Sequence, residues 1–383
     1  MSTCSTDAAR STDAGRLGER MRRGRRSVDA PEPPQDPPRP TSRPAWCGQP
    51  YAQKRGRRIP AAERGWEGLG MSAAVPLIAP PSLRPRVARP AGATPDVVLL
   101  ANANASGLAR RPGSLELART AMRTRGARVE LQRTASLEEL AAAWRELSDR
   151  RVVLVGGDGT LHAAANLPGP QPELALLPAG RANNVARSLG IPLDLAAAAR
   201  LAVDGAPRAL DLIAAETADE TYYAVEGVSV GLHARARALY DAPNSSDVSA
   251  GIRSALGGVR GFDGITVTVS SDGSCELLSI GQLFVANFPR YGPGLRVAPA
   301  AQPDDGVLDL VTLPWTRRSA LLPMLARLRR GTHVGRPGTR TWTARRVRIA
   351  TGGASPIIAD TKVLGTGPVT LRVVPSALAV VAP

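Results

Sequence analysis

One short stretch of the chain combines residue types that could hold an anionic ligand. Four β-prone apolar residues, 152–155, run directly into the segment 156–160, which is Gly-Gly-Asp-Gly-Thr. Glycine lets the backbone approach a ligand closely and adopt a positive φ at little steric cost. Asp158 and Thr160 add a carboxylate and a hydroxyl at the carboxyl end of a buried strand, where open α/β sheets bind their ligands. The stretch therefore predicts a ligand-binding loop, with a glycine-rich strand-to-helix turn that binds nothing as the alternative.

Two further polar loops follow predicted strands in the same way. Residues 102–107, Asn-Ala-Asn-Ala-Ser-Gly, come after the apolar run 97–101. Residues 178–187, Pro-Ala-Gly-Arg-Ala-Asn-Asn-Val-Ala-Arg, come after the run 174–177. Small and polar residues between periodic segments indicate loops. All three loops are thus expected at the carboxyl ends of strands, on the ligand-binding side of an α/β sheet.

The elements between these loops alternate between strands and helices. Apolar residues at helical spacing mark 115–125, and a strand is predicted at 128–134. Ser136 and Glu139 have the spacing of a capping box at the start of a second helix. This alternation predicts an α/β domain with a parallel doubly wound sheet over residues 95–207.

After about residue 208 the pattern changes to short apolar runs separated by Gly, Pro and Asp turns. Many short strands with few helices predict a β-rich antiparallel domain over 208–383. One exception is 319–330, a predicted helix with leucines on one side and arginines on the other. Such a helix either packs against its own domain, which is the expected arrangement, or lies on an anionic bilayer.

The charge of the whole chain favours anionic partners. The 383 residues carry a formal net charge of +16, and arginine supplies nearly all of the positive charge. Nucleotide phosphates, an acidic membrane surface and nucleic acid would all be attracted, and composition does not choose among them. The three cysteines lie far apart without metal-binding spacing, and no apolar run approaches the about 18 residues of a membrane span. These features predict a cytoplasmic protein.

Residues 1–90 differ from the rest of the chain. They are rich in proline and arginine and have almost no periodic apolar pattern, so they cannot bury enough surface to offset their ordering entropy. We therefore predict a disordered extension. Three interpretations are open: a basic arm for nucleic acid or membrane, a solvated tail, and upstream sequence ahead of a true initiator at Met71.

Taken together, the segments after this extension resemble the diacylglycerol kinase catalytic-domain family of bacterial lipid kinases, which is related more distantly to NAD kinases. The most specific element is 156–160, identical to the family's glycine motif. Residues 102–107 are similar to the family's Asn-Pro-x-Ser-Gly loop, and 178–187 to its Pro-x-Gly-Thr-x-Asn-Asp-x-Ala-Arg segment. Residues 298–300 and 304–309 are similar to its Pro-x-Ala and Asp-Gly-Leu-Leu-Asp-Val elements.

The resemblance implies that ATP binds between an α/β domain and a β-rich domain, and that its γ-phosphoryl group passes to a lipid hydroxyl with Mg²⁺ as a cofactor. It implies that Asp360, which stands in the family's Asp-Gly-Glu motif, is the general base. Asp305 is the best candidate for a structural metal network, with an Asp-Asp-Gly turn that needs no metal as the alternative. The other implied site residues contact the nucleotide. They are Asn102, Thr134, Gly156, Gly157, Asp158, Gly159, Thr160, Gly180, Arg181 and Asn183.

The chain departs from the family pattern at four positions around this implied site. Asn184 and His233 stand where the family has carboxylates, Lys362 replaces the glutamate of the Asp-Gly-Glu motif, and Arg181 fills a threonine position. Each change removes negative charge or adds positive charge. One interpretation is a working kinase in which Arg181 or Lys362 meets phosphate charge directly, and the other is a decayed site.

We therefore expect an ATP-dependent lipid kinase with a diacylglycerol-like acceptor, associated peripherally with a membrane. The alternatives are a catalytically degenerate regulator that binds nucleotide or lipid, and a soluble kinase resembling NAD kinase. Nucleic acid is not favoured as a partner, and formation of a homodimer is left open. His162 and His333 have no partner at metal-binding spacing and are interpreted as structural.

Overall fold

The computed structural model describes residues 96–110, 112–147, 150–169, 171–239, 257–315 and 318–383. The predicted disordered extension, residues 1–90, lies outside the described residues. In the described part of the chain, no helix is both long enough and apolar enough to cross a membrane.

Four parallel strands form one end of the larger sheet. They are β1 (Asp96–Asn102), β2 (Arg128–Thr134), β3 (Arg151–Gly156) and β4 (Glu173–Pro178). Their order is β2-β1-β3-β4, and every neighbouring pair is parallel. Residues 97–101 and 152–155 are almost completely buried, as expected for strands that helices cover on both faces. The predicted α/β alternation is confirmed over these strands.

Eight α-helices lie wholly within the described part of the chain, and residues 257–259 are also helical. The eight are α1 (Ser106–Arg110), α2 (Ser114–Arg123), α3 (Leu137–Arg145), α4 (Asp158–Ala165), α5 (Asn184–Ser188), α6 (Leu195–Asp204), α7 (Leu232–Ala238) and α8 (Leu321–Arg330). The predicted capping of α3 is present, since Ser136 Oγ accepts a hydrogen bond from the Glu139 N–H at 3.2 Å. The Glu139 carboxylate reaches back and accepts from the Ala135 N–H at 2.7 Å. Local sequence therefore determines where α3 begins.

The larger sheet becomes mixed beyond β4. The C-terminal strand β16 (Val369–Ala382) runs parallel beside β4 and antiparallel beside β5 (Ala206–Glu216). Three antiparallel strands continue the sheet past β16, and one more pairs with β5. They are β13 (Arg346–Ala350), β8 (Ile265–Ser271), β9 (Ser274–Ile280) and β6 (Thr221–Ala224). The predicted parallel sheet thus spans β1–β4, and β16 pairs the edge of β4 that would otherwise be left open.

A second sheet is antiparallel throughout. Its strands are β7 (Gly227–Gly231), β10 (Gln282–Ala286), β11 (Leu308–Leu313), β12 (Arg340–Ala344), β14 (Ile357–Ala359) and β15 (Lys362–Gly365), in the order β12-β11-β10-β7-β14-β15. Residues of both sheets, among them Val228, Leu310 and Val347, share one buried cluster. The antiparallel β-rich part is confirmed. The apolar run 222–230 is divided between β6 and β7 by Val225 and Glu226, and this break forms part of the site.

Candidate functional site

Three loops meet at the carboxyl ends of β1, β3 and β4. Gly107 donates its backbone N–H to the Ala179 carbonyl at 2.8 Å, and a Cβ at Gly107 would lie 2.4 Å from that oxygen. In the same way, a Cβ at Gly180 would lie 2.4 Å from the Gly157 Cα. Only glycine allows the loop backbones to approach this closely. The structure therefore brings together the three polar loops that the sequence places after separate strands.

Asn102 and Thr160 connect the first loop to the glycine loop. Asn102 Nδ2 donates to Thr160 Oγ1 at 3.2 Å, and Asn102 Oδ1 accepts from the Asn104 N–H at 2.9 Å. Thr160 folds back over Gly156, where a Cβ would lie 2.3 Å from its hydroxyl. Thr134 is buried beside Asn102 at the end of β2. These predicted site residues hold the loops in place through contacts within the protein.

Asp158 begins α4 and also anchors the start of α5. Its Oδ2 accepts from the Asn184 N–H at 3.0 Å, and its Oδ1 accepts from the Val185 N–H at 3.1 Å. Amides in the first turn of a helix have no partner within the helix, so this carboxylate caps α5 from outside. Asp158 therefore fixes the loop 178–187 relative to the glycine loop 156–160.

Asn183 closes the second loop. Its φ of 49° lies in the left-handed region, which asparagine tolerates better than most residues. Its Oδ1 accepts from the Gly180 N–H at 3.0 Å, and its Nδ2 donates to the Gly180 carbonyl at 3.1 Å. Gly159 and Arg181 are exposed on these loops. A small pocket opens here, lined in part by Gly156, Gly157, Asp158, Pro178 and Asn183.

Three neighbouring arginines lie close to the second loop. Arg187 belongs to α5 and donates to the Ala182 carbonyl at 2.9 Å. Burial lowers the pKa of the Arg290 guanidinium, and the like charges of Arg296 and Arg187 lower it further. The ion pairs found among the described residues involve none of the three. Positive charges gathered in this way favour an anion between them.

Asp360, the predicted general base, lies inside the protein. Its side chain is 0% exposed. The carboxylate accepts hydrogen bonds from three successive backbone N–H groups, those of Val225, Glu226 and Gly227, at 2.7, 2.9 and 3.1 Å. In this arrangement Asp360 anchors the break between β6 and β7. Its catalytic role stays a prediction.

Asp360 belongs to a buried polar cluster that also contains His162, Asn184 and Glu226. His162 Nε2 lies 3.2 Å from Glu226 Oε1 and 3.6 Å from Asp360 Oδ2. Asn184 Nδ2 donates to Glu226 Oε2 at 2.9 Å and to the Gly292 carbonyl at 2.8 Å. All four residues of the cluster are buried. His162 lies on α4 and Asn184 begins α5. Through these two residues the cluster connects the loops 156–160 and 178–187 to the β-rich half of the chain.

Burial disfavours the charged form of each titratable group in this cluster. Attraction between the oppositely charged groups offsets that penalty. Burial lowers the pKa of His162, but the Asp360 charge and the Glu226 hydrogen bond outweigh this and raise the pKa to about 9. Burial raises the pKa of Glu226 to about 7, against the lowering effect of its His162 hydrogen bond. Burial also raises the pKa of Asp360, opposed first by the His162 charge and then by the three amides. His162 is therefore an imidazolium at neutral pH.

The cluster makes the stability of the fold dependent on pH. The folded-state pKa of His162 lies above its ordinary 6.5, so its contribution is fully present below pH 6.5 and is lost as the pH rises to about 9. The loss is roughly 3 kcal/mol. We expect wild-type protein to lose this stability between pH 6.5 and about pH 9.5, and His162→Gln/Glu226→Gln to lose less than half as much. Urea unfolding at the two pH values measures both, and equal losses would contradict the assignment.

Lys362 and His233, two of the four residues that depart from the family pattern, have partners within the protein. Lys362 Nζ lies 3.2 Å from Glu220 Oε1. His233 Nδ1 lies 2.9 Å from Ser229 Oγ, and its ring packs edge-on against Tyr291 with ring centres 5.2 Å apart. Burial, and next the charge of Arg237, lowers the pKa of His233 to about 4, so the ring is neutral. Of the two cations considered for phosphate, Lys362 is paired with a carboxylate and Arg181 is exposed.

Asp305 lies in an exposed turn before β11. Its Oδ1 accepts from the Val307 N–H at 3.1 Å. Burial and the Asp305 charge raise the pKa of Asp309 to about 6, so two carboxylates are neighbours here. Within the described residues no three His, Cys, Asp or Glu side chains form a group that could hold a metal ion. The metal role of Asp305 stays a prediction.

Glu226 and His162 are the members of the cluster whose roles the sequence analysis missed. Glu226 is the single charged residue within the apolar run 222–230, and that interruption was its available signal. His162 lies four residues after Asp158, one helical turn along α4 from the glycine loop. Its interpretation as an isolated structural histidine overlooked the buried carboxylates around it.

Comparison with known sequences finds a family match for each of two adjoining parts of the chain. Residues 96–215 match the diacylglycerol kinase catalytic domain, and residues 226–382 match the YegS C-terminal NAD kinase beta sandwich-like domain. The first range contains the three loops. The second contains Glu226 and Asp360, so the buried cluster spans both matched regions.

Curated relatives carry names of the same kind. A "Probable lipid kinase YegS-like" of Pseudomonas putida is 31% identical over 183 residues, which are 46% of this chain and 58% of that protein. A diacylglycerol kinase of Mycobacterium tuberculosis is 29% identical over 254 residues, 64% of this chain and 80% of that protein. The chain thus spans little more than half the length of the Pseudomonas relative.

Two crystal structures from Bacillus anthracis str. Sterne show the same fold. Each is 18% identical to this chain and covers 75% of it, with 97% of the solved chain aligned. The TM-scores are 0.60 for one and 0.54 for the other, which is a diacylglycerol kinase. By these two adjoining matches, residues 96–215 belong to the diacylglycerol kinase catalytic-domain family, and residues 226–382 to the YegS C-terminal domain family.

Proposed function

We propose that this protein is an ATP-dependent lipid kinase that transfers the γ-phosphoryl group of ATP to a hydroxyl of a diacylglycerol-like lipid. The observation that carries the proposal is the meeting of three loops at the strand ends, with Gly157 against Gly180 and Gly107 against Ala179. Relatives named as lipid kinase and diacylglycerol kinase support the reaction class.

The glycine loops suit the phosphates of a nucleotide. Gly157 precedes α4, whose first amides point out of the helix and favour negative charge. A Cβ at Gly157 or Gly180 would fill the space where the two loops meet. Arg187 and Arg290 add positive charge beside the second loop. We therefore assign the nucleotide phosphates to this edge, with Asn102 and Thr160 holding its shape.

The residues present also suit a magnesium ion that arrives with the nucleotide. Mg²⁺ in kinases takes one or two protein oxygens together with substrate phosphates. Asn184 Oδ1 is buried without a hydrogen-bond partner, and the backbone N–H of the same residue donates to Asp158 Oδ2 at 3.0 Å. These two side chains would hold the ion. When bound, it would neutralise charge on the transferring phosphoryl group.

Asp360 is our proposed general base on the acceptor side. A base must come within hydrogen-bond reach of the hydroxyl proton it removes. Movement of the turn that joins β14 to β15 would release Asp360 from the amides of residues 225–227 and carry it toward the lipid. His162 would stay beside the position that Asp360 leaves, because its hydrogen bond with Glu226 would remain.

The sealed position of Asp360 also favours a second candidate function. If the turn does not open, the protein binds nucleotide or lipid without phosphoryl transfer and acts as a regulator. The paired state of Lys362 points the same way, because a cation bonded to Glu220 contributes less charge to a phosphate. The two candidates differ in turnover and agree in nucleotide binding.

Turnover with labelled ATP and a panel of lipids separates the two candidates. We expect wild-type protein to phosphorylate at least one lipid with a free hydroxyl. Asp360→Asn should lower kcat by about 100-fold or more while ATP still binds, because it removes the base and keeps the shape of the side chain. Asp219→Asn, a change of the same kind at an exposed turn, should act as wild type. Calorimetric binding of ATP with no labelled lipid from any variant would establish the regulator instead.

A further inference from the structure

We propose that α8 and the turn before it form a docking surface for an anionic phospholipid bilayer. This α8 face consists of Arg318, Leu322, Leu325, Arg329 and Arg330. The inference rests on the proposed function, since it names the surface from which a lipid kinase would reach its substrate. The sequence predicts that the helix packs against its own domain; Leu328 and Met324 do pack there, whereas Leu322 and Leu325 are exposed.

Only one residue of α8 is fully buried. Leu328 is 7% exposed, and Met324 packs partly against the same cluster. Leu322 is 77% exposed and Leu325 is 40% exposed, which is unusual for leucines three residues apart on one helix. Leu322, Leu325 and Arg329 share one side of the helix at i, i+3 and i+7 spacing. This side presents two exposed leucines, followed one turn later by the exposed Arg329.

The sequence segment that contains α8 carries charge of one sign only. From Leu310 to Ala359 the sequence contains no Asp or Glu, and it contains ten arginines. They are Arg317, Arg318, Arg327, Arg329, Arg330, Arg336, Arg340, Arg345, Arg346 and Arg348. Arg318, Arg329 and Arg330 are exposed, and the ion pairs among the described residues include none of them. An exposed apolar strip flanked by arginines is complementary to a bilayer with anionic headgroups.

The α8 face is continuous with the candidate site. Arg296 donates its backbone N–H to the Leu328 carbonyl at 2.9 Å, so the segment before it lies against the end of α8. The same segment reaches the buried cluster, where the Gly292 carbonyl accepts from Asn184 Nδ2 at 2.8 Å. A bilayer held by α8 would therefore lie beside the loops proposed to bind ATP. Arg290 and Arg296 would extend the positive surface between the two.

Vesicle sedimentation with the full-length protein and no nucleotide tests the inference. The vesicles are phosphatidylcholine alone, or phosphatidylcholine with one third phosphatidylglycerol, at physiological salt. We expect binding to the anionic vesicles. Arg329→Ala/Arg330→Ala should lower the partition coefficient by about 30-fold, and Leu322→Ser/Leu325→Ser by about tenfold. The exposed Leu117 and Arg123 on α2 provide matched controls, and Leu117→Ser and Arg123→Ala should bind as wild type.

Each other outcome overturns the inference. If both α8 variants bind as wild type, another part of the chain docks on the bilayer. If the arginine variant loses binding and the leucine variant keeps it, the protein is adsorbed by charge alone and the leucines do not insert. If wild type ignores vesicles but binds duplex DNA or RNA through these arginines, the surface serves nucleic acid.

A parallel assay with a lipid acceptor dispersed in detergent micelles separates this inference from the proposed function. Micelles supply the acceptor without a bilayer to dock on, so turnover there is expected to survive both α8 variants. Vesicle binding that depends on α8, with no turnover in micelles, would keep the docking surface and reject the kinase. Turnover in micelles, together with vesicle binding that does not depend on α8, would keep the kinase and reject the docking surface. Thermal unfolding of each variant shows that it is folded before either assay.

Discussion

Gly157→Ala is expected to lower ATP affinity by about 100-fold and to reduce the free energy of unfolding by about 2 kcal/mol. The added Cβ would lie 2.8 Å from the Gly180 Cα, which is backbone and cannot turn aside. The φ of Gly157 is −102°, which alanine adopts without strain, so the effect is steric. Separation of the two loops would enlarge the space in which the phosphates must be held.

Two other glycines make this prediction specific. Gly367 is exposed, and a Cβ there would meet no atom within 4 Å, so Gly367→Ala should match wild type in both measurements. Gly159 also has open space around it but lies on the proposed phosphate loop. Gly159→Ala should keep wild-type stability or gain slightly from better helix propensity. A lower ATP affinity in that variant would place the ligand directly against the loop.

Calorimetric titration with ATP and urea unfolding are the two measurements. If Gly157→Ala bound ATP with wild-type affinity while losing stability, the contact with Gly180 would be a packing feature only. The nucleotide would then have to be placed elsewhere. Unchanged stability would instead mean that the two loops are not in contact in solution.

The glycine loop could be predicted because its requirements are local. A buried strand, a need for close backbone approach at Gly157 and Gly180, and a start of α4 at Asp158 are all expressed within a few neighbouring residues. The capping of α3 by Ser136 is local in the same sense. The predicted nucleotide residues are brought together by the structure as a group, although their binding of ATP remains a prediction.

The buried cluster could not be predicted in the same way. His162, Asn184, Glu226 and Asp360 come from four separate segments, and no short-range pattern connects them. Their partnership depends on the pairing of β14 with β7, which sets Asp360 beside the amides of residues 225–227. The position of β16 in the larger sheet has the same origin, since it pairs with strands about 160 to 200 residues earlier.

The second large expected effect concerns the contact between Asn184 and Glu226 in this cluster. By resemblance to related kinases, Asn184 stands where a carboxylate is usual. In the structure Asn184 donates to a carboxylate that this chain carries at Glu226. In this chain the contact pairs a neutral amide with an acid, and Glu226 supplies the negative charge. On this view Asn184 and Glu226 compensate each other, and the site has not simply decayed.

Asn184→Asp alone is expected to destabilise the fold by about 4 kcal/mol at about pH 8.5. It places a second carboxylate about 3 Å from Glu226 and removes the donor to the Gly292 carbonyl. At about pH 6 the cost should be smaller, because Glu226, with a pKa of about 7, can take up a proton and donate to the new carboxylate. Urea unfolding at the two pH values gives this difference directly.

Asn184→Asp/Glu226→Gln is the variant that tests compensation. It reverses the polarity of the contact, since the amide at position 226 can donate to the carboxylate at position 184. We expect it to recover all but about 1 kcal/mol, the remainder being the lost bond to the Gly292 carbonyl. Phosphoryl transfer should fall in Asn184→Asp and return in the double variant. If Asn184→Asp alone were as stable as wild type and more active, position 184 would need its own carboxylate to hold metal, and the interpretation of a decayed site would be correct.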